Sequence, residues 1–330
     1  GYFSASVEWS KNNGKPEAWK DWWYNPQAKT YYFVGKDNIP FHAIIWPAQL
    51  MGAGQLYEDD PNKKLNLPTD VPANEFLNLE GAQFSKSRNW AVWALDFLKD
   101  YDADPLRYYL TSNAPEQRDT EFTWSDFIRR NNDELVATWG NLVNRSLSFT
   151  SKNFGLIPQP GLMTPADAKL LAQIDVAFNP IGDTLAGCHF KQALGELLAL
   201  ARDVNKYLDE TAPWFQIKTD RARTATTMYV TLRAIDSLKV LFAPFLPFSS
   251  QRLHLMLGYS GELLGQQIVR EYQEPARSHT ALTYDYSGVT VQWKPSQLPV
   301  GQKLGPVAPL FEKLDPKLAE QERSKLGRAM

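Results

Sequence analysis

The hydrophobic period of this chain changes near residue 123, and no single layer of secondary structure accommodates both patterns. Downstream, apolar side chains recur three and four apart, which marks one face of a helix. The stretches that carry this spacing are "WSDFIRRNNDELVATWGNLVNRSLSFTSKNF", "TPADAKLLAQIDVAF", "FKQALGELLALARDVNKYLDE" and "ATTMYVTLRAIDSLKVLFAPFLPF". The second opens on a threonine cap with a proline in its first turn, and the fourth stops at its prolines. Together they predict an antiparallel helical bundle over residues 116–258. Upstream, residues 1–115 mix short apolar runs with Gly, Pro, Asp and Asn. There "KTYYFVG" at 29–35 reads as a buried strand, "PFHAIIWPAQLMG" at 40–52 as a helix and "NEFLNLE" at 74–80 as a second strand. That alternation predicts an α/β sheet, so the fold class is α/β plus all-α. Residues 259–330 are rich in Pro and Gly and predict an irregular return segment, with a short terminal helix in "LDPKLAEQERSKLGRAM".

Composition narrows the function classes. With 330 residues, 43% hydrophobic and 13% aromatic, the chain suffices for two domains and a large core. A net charge of −2 gives no global footprint of a nucleic-acid binder, so any RNA site must be a local patch. The lone cysteine, Cys188, excludes an internal disulfide framework and a Cys-rich zinc knuckle. It suits a reducing compartment, so a cytoplasmic protein with no zinc site in this chain is expected. The longest apolar runs, such as "VLFAPFLPF" at 240–248, fall far short of the roughly 18 residues needed to span a bilayer, and no membrane partner is expected. The first residue is Gly1, in an aromatic segment, from which we expect a longer protein upstream.

The stretch "NLEGAQFSKSRNW" at 78–90 joins a strand to a helical run through Gly81 and a cluster of Ser85, Lys86, Ser87 and Arg88. A glycine allows close backbone approach, helix amides favour anions, and a lysine supplies a movable charge for a phosphoryl oxygen. On its own such a stretch reads equally as a solvated turn. Its "GAQFSKS" resembles the Lys-Met-Ser-Lys-Ser signature of class I aminoacyl-tRNA synthetases. Other segments are similar to the methionyl-tRNA synthetase family in particular, in order and over nearly the whole chain: "YYFVGKDNIPFHAIIWPA", "DADPLRYYLTSNAPEQRDTEFTW", "WGNLVNR", "DETAPW" and "GPVAPLFEKLD". The resemblance implies the second half of a Rossmann-like catalytic domain with the stem-contact region, followed by a helical anticodon-binding bundle.

Residue by residue, Gly35 and Asp37 follow a strand, where α/β sheets hold ligands; the carboxylate suits ribose hydroxyls or, equally, a helix cap. His42 and Trp46 stand four apart on one face and suit either a pocket wall or a core position. The resemblance implies an ATP role for Gly35, Asp37 and Lys86, and puts Tyr2, His42 and Trp46 at a methionine side chain. Lys86 would stabilise the departing pyrophosphate, with Ser85 and Ser87 shaping the loop. Asn141 and Arg145, four apart on a helix, and Trp214, stiffened by Pro213, match the family's anticodon-reading positions; without the resemblance the first two read as a solvated pair. Arg129, Arg130 and Lys152 would add nearby charge. The implied substrates are methionine, ATP with Mg2+, and tRNA(Met).

Two departures stand out. Gln83 replaces the first signature lysine and Phe84 the methionine, so one of two cations is absent. The four histidines, His42, His189, His254 and His279, lie too far apart for the family's His-x-Gly-His element. A C-terminal portion inactive alone is therefore expected. A non-catalytic tRNA-binding relative, or a sibling synthetase for leucine, isoleucine or valine, remains the alternative.

Overall fold

A computed structural model describes residues 1–327 apart from 55, 275 and 290, so the last three residues of the expected terminal segment lie outside the described residues. Two compact units interleave along the chain. One takes Gly1–Leu77, Pro115–Thr120 and Val269–Thr283; the other takes Asn78–Ala114, Glu121–Ile268 and Tyr284–Met330. These are groupings in space, whereas the segments 1–115, 116–258 and 259–330 read from composition run consecutively.

In the first unit, helices α1 (Tyr2–Asn12) and α2 (Lys20–Trp23) precede a short parallel ladder of β1 (Val34–Gly35) and β2 (Ala73–Asn74), with Val34 opposite Ala73. The two strands read at 29–35 and 74–80 are thus only partly formed. Phe33 is 53% exposed, and the second run breaks where Glu75 N–H turns to the Pro115 carbonyl (2.8 Å) and Phe76 N–H to Asp119 (3.0 Å). Between the strands, a π-helical turn, Phe41–Ile45, runs into α3 (Trp46–Ala53). Pro47 has no N–H to return to the carbonyl four residues back, which removes an α-type hydrogen bond where the turn widens. A small core of Trp19, Trp23, Leu50 and Leu65 holds α3 in place.

The second unit begins in β3 (Leu77–Leu79), which forms a two-stranded sheet with β4 (Thr120–Phe122). Between them lie α4 (Ala94–Asp100) and α5 (Ala103–Ser112). The helical run expected directly after the signature loop therefore starts only at Ala94. Then α6 (Trp124–Arg130), a π-helical stretch Asn131–Gly140 and α7 (Asn141–Asn153) form one long helix. In the widened stretch Asn131 and Asn132 donate to the carbonyls of Glu312 (2.9 Å) and Leu314 (2.8 Å), pinning the returning chain. Helices α8 (Pro165–Val176), α9 (Phe178–Ala186), α10 (Phe190–Thr211), the single turn α11 (Pro213–Gln216), α12 (Arg221–Phe242) and α13 (Pro247–Met256) follow. The Trp139 ring lies 4.8 Å from Phe242, tilted by 31°, inside a core that includes Leu142, Leu197, Ile235 and Leu253, each worth about 1.5–3 kcal/mol when buried. Asp104 on α5 caps α13 from outside it, accepting from Ser249 N–H and Oγ at 2.6 Å; burial nonetheless pushes its carboxyl above the usual range.

Residues 259–330 are not irregular throughout. Strands β5 (Gln266–Gln273) and β6 (Ser278–Asp285) form a hairpin before α14 (Leu318–Arg323). β6 alternates between exposed and half-buried residues, but its half-buried positions are His279, Ala281, Thr283 and Asp285, so the apolar alternation that identifies a strand is faint in the sequence.

Candidate functional site

In the first unit, Tyr2 at the start of α1 meets the π-turn helix. Its ring lies 5.2 Å from Tyr32, 5.9 Å from His42 and 6.0 Å from Trp46, centroid to centroid. A carbonyl oxygen can only accept, so in the neutral ring His42 Nδ1–H donates to the Asn38 carbonyl (3.1 Å) and Nε2 accepts from the Tyr2 hydroxyl (2.9 Å). Trp46 packs on the small core and donates its indole N–H to the Tyr32 hydroxyl at 2.9 Å. One edge of the Trp46 ring thus packs on the core, while its indole N–H and its other edge face Tyr32 and Tyr2. Tyr32 was missed in the sequence because in a strand-like "YYFV" nothing marks which tyrosine turns inward.

Asp37 follows β1. A β-carbon at Gly35 would lie 2.8 Å from its Oδ1, so glycine is what lets this carboxylate fold back over the strand end. The carboxylate is exposed and accepts from the Asn38 amide at 3.3 Å, which leaves acceptor capacity free. Lys36 beside it is committed to Glu75 and Asp119 and is not a free cation.

The signature loop lies in the second unit. Ser85 and Trp90 exchange backbone hydrogen bonds at 2.9 Å, Asn89 N–H returns to the Lys86 carbonyl at 3.1 Å, and the Trp90 indole donates to the Leu79 carbonyl at 2.8 Å. Asn89 sits at φ 48°, a left-handed position that asparagine tolerates. The Ser85 and Ser87 hydroxyls are 3.3 Å apart. Lys86 and Arg88 are exposed, and among the described residues neither pairs with a carboxylate. The helix expected to present its amides to a phosphate begins too far along the chain, at Ala94, for the loop to be its first turn.

On the helical bundle, Asn141 and Arg145 share an open groove of ≈ 680 Å³ with Arg202, Asn205 and Lys206. Arg145 donates to Asp209 at 2.7 Å and lies 4.8 Å over the Trp214 ring. Trp214 is half-buried against the core and already carries a guanidinium on its face. Phe215, 79% exposed on the same turn, was missed because it follows the more distinctive Pro213–Trp214 pair. Ala212 turns the chain here in the left-handed region, φ 38°. Arg129 and Arg130 do not supply free charge: Asp126 holds them at 2.6 and 2.9 Å.

Residues 1–147 match the family profile described as tRNA synthetases class I (M), and residues 157–274 match the anticodon binding domain of methionyl tRNA ligase. The chain is 53% identical over 334 aligned residues to the methionine–tRNA ligase of Chloroflexus aggregans, covering 99% of this chain and 56% of that protein. The chain belongs to the methionyl-tRNA synthetase family. The Thermomicrobium roseum ligase is 55% identical over 329 residues, covering 99% of this chain and 55% of its own length. A structure of the Mycobacterium tuberculosis methionyl-tRNA synthetase in complex with methionyl-adenylate superimposes with a TM-score of 0.69 at 30% identity, over 87% of this chain and 50% of that one. The chain thus spans about half the length of the family members it matches. Among the described residues no helix is long and apolar enough to cross a membrane.

Proposed function

We propose that this chain is part of a cytoplasmic methionine–tRNA ligase that activates methionine with ATP and transfers it to tRNA(Met). The observation that carries the reading is the aromatic corner of Tyr2, Tyr32, His42 and Trp46, with ring centroids 5.2–6.0 Å apart around Tyr2. Such walls suit a thioether, since a sulfur–aromatic contact is worth about 0.3–1.5 kcal/mol. The Tyr2–His42–Asn38 hydrogen-bond chain fixes the corner before substrate arrives, which reduces the entropy lost on binding. Asp37 accepts from ribose hydroxyls of ATP, with Gly35 giving it room. The methionine carboxylate attacks the α-phosphorus, pyrophosphate leaves, and Lys86 neutralises charge on the leaving group while Ser85 and Ser87 hold the loop. Magnesium enters with ATP as part of that substrate. The terminal ribose hydroxyl of the tRNA then takes the aminoacyl group.

The test is methionine-dependent ATP–pyrophosphate exchange on this chain alone and on a completed protein, in which it is joined to the part of the Thermomicrobium roseum ligase that it does not match. Exchange is expected only in the completed protein. If that protein is folded by circular dichroism and still inactive, a non-catalytic tRNA-binding role replaces the ligase reading.

Asn141, Arg145 and Trp214 form the proposed anticodon reader. Arg145 leaves Asp209 to reach a base edge, and Trp214, released from under it, offers a stacking face. In the completed protein, Trp214→Ala is expected to lower kcat/KM for tRNA charging by about 10- to 100-fold, the equivalent of about 1–3 kcal/mol of stacking, and to leave pyrophosphate exchange unchanged. Equal charging by both proteins removes the assignment.

A further inference from the structure

We propose a divalent metal site in the first unit, formed by Glu8, Glu274 and His279 and suited to zinc. One ligand atom from each lies within 4.8 Å of the other two. The hairpin turn brings two of them together: Glu274 N–H closes on the Arg277 carbonyl at 2.9 Å, and His279 lies just beyond in β6. Glu8 comes from α1, far away in sequence.

Two features of this cluster suit a cation. His279 Nδ1 is shut off from solvent and makes no hydrogen bond among the described residues, although it lies 3.6 Å from Glu274 Oε1. Its ring is held in place by stacking on Tyr272 at 5.7 Å, so the lone pair is aimed rather than loose. Beside it the carboxylates of Glu8 and Glu274 converge, an arrangement that a cation between them would favour. Arg277 approaches Glu274 only to 3.9 Å, and the Asn12 amide donates to Oε1 at 3.5 Å.

An imidazole and two carboxylates match the three-ligand sets zinc accepts at about 2.0–2.2 Å, for which neighbouring donors stand about 3.4 Å apart. The His279–Glu274 edge already has nearly that length, and Glu8, exposed on its helix, has only to swing inward. The metal would clamp the hairpin turn to α1, the helix that begins with Tyr2. This arrangement uses no cysteine, so the lone Cys188 is no argument against it.

The test uses the 330-residue chain, stripped with chelator and titrated with Zn2+ by calorimetry, with Co2+ absorption reporting coordination number. One equivalent is expected, with binding weakened at least about tenfold in His279→Ala and in Glu274→Gln, unchanged in Cys188→Ser, and a four- or five-coordinate cobalt spectrum. Binding that survives both hairpin variants, binding lost in Cys188→Ser, or none up to millimolar Zn2+ overturns the site. The variants lie at a surface turn, and matching circular dichroism spectra confirm that lost binding is not lost fold.

Discussion

Lys86→Ala in the completed protein is expected to slow methionine-dependent pyrophosphate exchange by about 10²–10³, or about 2.7–4 kcal/mol, the scale of removing one preorganised donor from a developing charge. The loop explains why so much should rest on one side chain. Gln83 stands where the signature has its first lysine, so Lys86 and Arg88 are the cations of the segment, and Lys86 pairs with no carboxylate among the described residues. Its backbone is fixed from both sides, by the Ser85–Trp90 hydrogen bonds and by the indole anchor to Leu79. A charge on a rigid turn costs little reorganisation when the phosphate arrives. Because Lys86 is exposed and supports no other group, the substitution should leave the unfolding midpoint within about 0.5 kcal/mol of the parent. Unchanged exchange would mean that the loop is the solvated turn it also resembles.

The sequence was most informative where period and caps agree. The box in which Thr164 accepts from Asp167 N–H while the Asp167 carboxylate accepts from Thr164 N–H starts α8 where "TPADAK" predicts it. Helix α10 follows its apolar stripe, whereas α12 is buried nearly all round. Legibility failed where tertiary contacts replace a local pattern. Glu75 and Phe76 leave their ladder for residues 115–119, and although β6 alternates between exposed and half-buried residues, its sequence "SHTALTYD" puts polar as well as apolar residues on the half-buried face. The candidate site divides in the same way. The positions of Tyr2, His42, Trp46, Lys86, Arg145 and Trp214 come from linear segments that the family resemblance marks. Tyr32 closes the aromatic corner through a contact that no linear signal carries, and the capture of Arg145 by Asp209 and Trp214 depends on α10 and α11 packing against α7.

Asp167→Asn is expected to destabilise the helical unit by about 3 kcal/mol at pH 7, more than any other single polar substitution argued above. Asp167 is fully buried and accepts both guanidinium arms of Arg223 at 2.6 Å, the Tyr207 hydroxyl at 2.7 Å and Thr164 N–H at 2.8 Å. Burial alone would raise its carboxyl, but the Arg223 and Tyr207 hydrogen bonds prevail and hold it down at about 2. Asparagine keeps the shape and one acceptor for the cap, yet leaves the guanidinium without its counter-charge. Arg223 retains 21% exposure, which lets water soften the loss and places the effect at the low end of the range for broken buried pairs. The pH dependence follows from the sign of the shift. A carboxyl lowered in the folded state stabilises fully above its unfolded value of about 3.9 and loses that contribution as pH falls toward about 2. The difference between parent and Asp167→Asn should therefore be largest near pH 7 and shrink by about 2 kcal/mol between pH 4 and pH 2, as read from urea midpoints. In a double-mutant cycle, Arg223→Gln on the Asp167→Asn background should cost much less than on the parent, because the pair is already broken. A difference that stays constant down to pH 2, or additive costs in the cycle, would show that the bundle draws its stability from the apolar core alone and that Asp167 serves only as the cap of α8.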